Sequence, residues 1–185
     1  MKIAAALLAI AAVAAPTALP AQGTPAKVKK VDDVEIGAAF IDTCVRPAPS
    51  REAVRAAIAA QGSWTPAPLP SDFGLVKGAA PSRIDSWTRT IDGRDVLLVL
   101  IEDDASKGLK TNCAFVLRDR REAMWYFRSV SDKLKAFGLK LKEQDIPHYR
   151  IHRGKFANGQ PGTVELRSRS AGLSGKDVIH LAIAF

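Results

Sequence analysis

Asp92-Gly93 separates two segments of similar length, Arg83 to Ile91 and Arg94 to Glu102, and no other feature narrows the fold as much. An Asp-Gly pair supplies the positive backbone angles of a two-residue hairpin turn, whose twist matches that of the strands it joins. The second segment contains Val96-Leu-Leu-Val-Leu-Ile101, apolar at every position. Such a run suits a central strand of a sheet covered by a helix. The chain is therefore expected to be built around an antiparallel sheet.

The rest of the sequence supplies partners for that hairpin. Thr111 to Leu117 reads as a third strand, and three more are expected near His148 to Arg153, Thr163 to Arg169 and Val178 to Phe185. In the last, Ile179, Leu181, Ile183 and Phe185 alternate with Val178, His180, Ala182 and Ala184, a period of two. Ser50 can cap a helix running to Gln61, with Gly62 ending it and Val54, Ala57 and Ile58 near one face. Asp119 with Glu122 three positions later has the form of a capping box for a second helix. Met124, Phe127, Val130 and Leu134 form its apolar stripe, and Gly138 stops it. Val34 to Val45 reads as a short edge strand, and the Pro- and Gly-rich Thr65 to Ser82 as a crossover held down by Trp64, Leu69 and Phe73.

The expected class is α+β, a largely antiparallel sheet of about six strands with two helices packed on one face. The order helix, three strands, helix, three strands suggests two similar halves, although their sequences share little.

Residues 1–21, MKIAAALLAIAAVAAPTALPA, have the form of a cleaved export signal. Lys2 gives the positive start, Ile3 to Ala15 the apolar stretch, and small residues lead to a cut after Ala21. The stretch is shorter than the roughly 20 apolar residues of an ordinary membrane span, so no span is expected after cleavage. Residues 22–33 read as a flexible leader and 34–185 as one globular domain. The expected location is the periplasm, or else the exterior. Cys44 and Cys113 are the only cysteines. In an oxidising compartment their simplest arrangement is one intramolecular disulfide, tying the N-terminal segment to the sheet.

Lys and Arg number 27 against 19 Asp and Glu, a net charge of +8. That balance favours an acidic envelope protein, a polyanionic glycan or anionic lipid headgroups as partner. Nucleic acid is not expected, since export removes it and neither zinc-finger spacing nor an aromatic RNA-binding motif is present. The basic residues that would form an interaction surface are Arg118, Arg120 and Arg121, then Arg150, Arg153 and Lys155, then Arg167 and Arg169.

Catalytic signals are weak. His148, Arg150 and His152 alternate, so on a strand they point the same way. A cation between the histidines would work against Arg150, and no carboxylate or cysteine completes a ligand set, so an exposed basic strand is the simpler reading. His180 is a further weak ligand candidate, brought near the pair only by tertiary folding. Glu102-Asp103-Asp104 lacks the ligand spacing of a calcium loop and reads as a solvated turn, or as a partner for the protein's own basic groups. Ser174, in Gly172-Leu-Ser-Gly175, misses the spacing of a nucleophile elbow. No catalytic residue, metal or cofactor is nominated. The expected function is a noncatalytic envelope module binding protein or anions. The alternatives are an inhibitor of a secreted enzyme and a small exported hydrolase whose site is assembled across the fold.

Overall fold

A computed structural model describes residues 35–70, 83–102, 111–119, 123–145, 148–170 and 177–185. The signal segment, the leader, the loop with Phe73, Asp103 and Asp104, Arg120 to Glu122, and Ser174 with its glycines lie outside them.

The first described element is helical. α1 spans Glu35–Phe40 and continues as a π-helical turn through Val45. This corrects the edge strand expected for Val34 to Val45. Ile36, Phe40 and Cys44 are fully buried, and their neighbours Gly37, Ile41 and Val45 are buried too. Adjacent pairs recurring every four residues line one side of a helix, whereas on a strand the two members of each pair would face opposite ways. α2, Arg51–Gln61, is capped as its sequence implies: the Ser50 hydroxyl accepts from the Ala53 N–H at 3.1 Å. Gly62 ends it in the left-handed conformation, φ 61°.

Eight antiparallel strands follow the order β1-β2-β3-β4-β8-β7-β6-β5. They are β1 (Thr65–Pro66), β2 (Arg83–Ile91), β3 (Arg94–Glu102), β4 (Asn112–Asp119), β5 (Leu139–Asp145), β6 (Tyr149–Lys155), β7 (Pro161–Ser170) and β8 (Asp177–Ala184). α3, Ala123–Leu134, lies between β4 and β5 and tightens into a 3₁₀ turn, Lys135–Phe137, before Gly138. The hairpin at Asp92-Gly93 pairs Arg83 with Glu102 through Ile91 with Arg94. Its second strand is central, flanked by β2 and β4.

The class is α+β as expected, but among the described residues eight strands and three α-helices stand in place of the six and two. β5 escapes the sequence pattern because only Leu139 is buried in it and the remaining positions are exposed at the sheet edge. Asp119 belongs to β4, paired along the backbone with Asp177, and the described part of α3 begins at Ala123; Glu122, the other half of the expected capping box, lies outside the described residues.

One cluster of buried side chains joins all three helices to the helix-side residues of the sheet. Phe115 sits at its centre, edge-on to Phe40 at 5.6 Å and to Trp64 at 5.3 Å between ring centroids. Cys44 and Cys113 form a disulfide beside these rings, with Cα atoms 5.6 Å apart. Bonds of this kind form and persist in oxidising, extracytoplasmic surroundings. Among the described residues no helix is long and apolar enough to cross a membrane.

Candidate functional site

Strand alternation gives the sheet two unlike faces. One phase, including Leu98, Phe115, Leu181 and Leu166, meets the helices and is fully buried. The other phase points away. Across β2, β3, β4 and β8 it carries Ile84, Leu97, Val99, Ile101, Ala114, Val116, Val178 and Ala182 in paired register. Among the described residues, no element packs over this second face. Most of these side chains are half-buried, and Val99 is fully buried.

The same face turns charged toward the β5 edge. Arg153 and Lys155 of β6 and Arg167 of β7 are exposed there. Two of these cations already have anions: Arg153 meets Glu143 at 3.0 Å and Arg167 meets Glu165 at 2.8 Å. Exposed pairs of this kind are weak and screened by salt, yet they lower the net positive field of the patch. The backbone pairs Arg118 and Arg169 with Val178 from its two sides. Arg120 and Arg121 lie outside the described residues.

Arg150 does not join that surface. It and His152 occupy the helix-side phase of β6, opposite Leu166 and Val164. Arg150 is 8% exposed and His152 is 1% exposed. The exposed basic strand expected here is thus buried at both positions, while His148 lies in the preceding turn, exposed. Arg150 Nη1 donates to Ser131 Oγ at 3.1 Å, and Nη2 lies 3.8 Å from Met124 Sδ. Its Nε and the His152 Nδ1 have no hydrogen-bond partner among the described residues. Burial, then the like charge of Arg128, lowers the Arg150 pKa against the smaller pull of Asp132. His180 stands on the opposite face, paired with Arg167 and Val116, so the three histidines do not converge. No set of three metal-ligating side chains occurs among the described residues.

Glu102 pairs with the protein's own basic groups, the second reading of its acidic run. Its carboxylate accepts from Arg55 Nε at 2.7 Å, and Arg55 also bridges to Asp85, which Arg83 meets at 2.8 Å. The bond from Glu102, opposed by burial and reinforced by Asp85, raises the Arg55 pKa. Burial works against the Asp85 charge, but Arg55 and Arg83 outweigh it and hold its pKa below the usual value. This network joins α2 to β2 and β3, positions that sequence spacing does not connect.

An open groove of about 500 Å³ runs along β2 beside residues 66–69, lined by Pro66, Leu69, Ile84 and Trp87 among others. Its polar groups are already committed. Ser86 Oγ donates to the Ala67 carbonyl at 2.6 Å, and Asp85 is held in its ion pairs. A serine engaged with a backbone carbonyl and a carboxylate engaged with two arginines do not make a nucleophile and base. No family model, curated protein or solved structure matches this chain.

Proposed function

We propose that the protein is a noncatalytic module of the bacterial-type envelope or exterior that docks a protein partner on the helix-free face of its sheet. The observation that carries this is the run of half-buried apolar side chains across β2, β3, β4 and β8, bordered by Arg153, Lys155 and Arg167. An apolar centre with a charged rim is the usual anatomy of a protein interface. A polyanion would instead call for clustered, unpaired cations, and Arg153 and Arg167 each have an acidic neighbour. The disulfide and the signal-like N-terminus support an exported location.

Site-specific photo-cross-linking in cells tests the reading. A cross-linker placed at Leu97 or Arg153 should capture one discrete envelope protein, whereas one at Glu52 on α2 should not. Capture should survive moderate salt, because an apolar contact is screened far less than an ionic one. Equal labelling from both faces, or binding that vanishes in moderate salt, would exclude the proposed docking face.

A further inference from the structure

Arg150 is a buried cation with no paired anion among the described residues. Its neighbours on α3 are Ser131, Met124 and the like-charged Arg128. Arginine is almost never fully buried unless paired, since removing a charge from water is costly. Asp132 is a weak counterweight: it is largely exposed and lies 3.4 Å from Lys135.

The orientation of the guanidinium is informative. Ser131 holds Nη1 and so fixes the plane of the group. Nε and Nη2 lie along the other edge, where among the described residues Nε has no partner and Nη2 has only a thioether at 3.8 Å. Two parallel N–H donors on one edge match the two oxygens of a carboxylate. Met124 is half-buried in the first turn of α3, and its unbranched side chain can swing from that edge at low cost.

We propose that Arg150 is the recognition element of a site for a small carboxylate between α3 and the β5–β6 edge, binding through Nε and Nη2. Its depth selects the ligand size. An arginine only 8% exposed is out of reach of a glycan strand or a lipid surface, but not of a small anion. The site lies on the opposite side of the sheet from the docking face, so the two proposals stand or fall separately.

The test uses acetate as the probe, with phosphate and chloride at matched ionic strength. Thermal unfolding of the purified protein should shift upward by about 3–6 °C for each tenfold increase of acetate above its Kd. Arg150→Leu should lose that shift and remain folded, because it removes a buried charge and leaves no acid behind. Arg51→Leu, on α2, should keep it. In the wild-type protein the Arg150 Nε–H resonance should move and saturate with acetate but not with chloride. An acetate shift that persists in Arg150→Leu would overturn the proposal. So would an Nε–H signal indifferent to acetate, or an equal response to phosphate.

Discussion

His152 lies two residues from Arg150 on the helix-side face of β6, and its Nδ1 has no hydrogen-bond partner among the described residues. Burial, with the charges of Arg150 and Lys135 added, pushes its pKa from 6.5 down to about 4. Leu141 and Val164, its cross-strand neighbours, offer no counter-charge. The folded protein therefore refuses a proton that the unfolded chain accepts. The stability tied to neutral His152 is complete above pH 6.5, falls as pH drops toward 4, and is lost below that. The whole effect is about 3 kcal/mol. Asp85, held below its usual 3.8 by Arg55 and Arg83 against its burial, destabilises on protonation at still lower pH, so the two windows separate. Urea unfolding between pH 4 and 7 should show the slope in wild type and a flatter profile in His152→Leu. An unchanged slope in that variant would assign the effect elsewhere. The alternation of His148, Arg150 and His152 is plain in the sequence, but the face they take is not. Ile151, on the other phase, is also only 8% exposed. A strand buried on both sides gives no hydrophobic contrast from which to read its orientation.

At the level of elements, legibility follows how much of each segment is decided locally. The Asp92-Gly93 hairpin and the Ser50-to-Gly62 helix appear where the residues place them, because turn and cap chemistry act within a few positions. β5 does not announce itself, since its partner β6 supplies the pairing and its own side chains remain in water. α1 is decided by tertiary packing. Gly37 lies where α1 meets α3, and an added Cβ would collide with the Ser129 hydroxyl, which is itself bonded to the Tyr126 carbonyl at 2.8 Å. Gly37→Ala improves local helix propensity by up to about 1 kcal/mol, yet it must separate two packed helices. The steric term wins, and the expected result is a net loss of about 1–3 kcal/mol. Chemical denaturation measures it directly. A variant as stable as wild type would mean that the two helices slide apart freely, and Gly37→Ala with Ser129→Ala should recover most of the loss.

Across the whole molecule the chain repeats one order twice: α2 with β1 to β4, then α3 with β5 to β8. The halves meet at β4 and β8, so the sheet order runs outward from that seam on both sides. The repeat is helix plus four strands rather than three, its outer strand reduced in the first half to Thr65–Pro66. Both outer strands follow a left-handed glycine, Gly62 and Gly138. The disulfide acts at this seam: Cys113 of β4 pairs with Ile183 of β8 and Leu100 of β3, while Cys44 carries α1 onto them. It joins residues 69 positions apart, and closing a loop of that size in the unfolded chain stabilises the fold by about 4 kcal/mol. Reduction without substitution isolates this contribution from packing. Urea unfolding with and without reductant should show a lower midpoint for the reduced protein. It should also show a steeper dependence on urea, because the released chain exposes more surface when unfolded. A lower midpoint with an unchanged slope would move the effect from the unfolded chain to native contacts around Cys44. Coincident curves would remove the bond from the stability of the seam altogether.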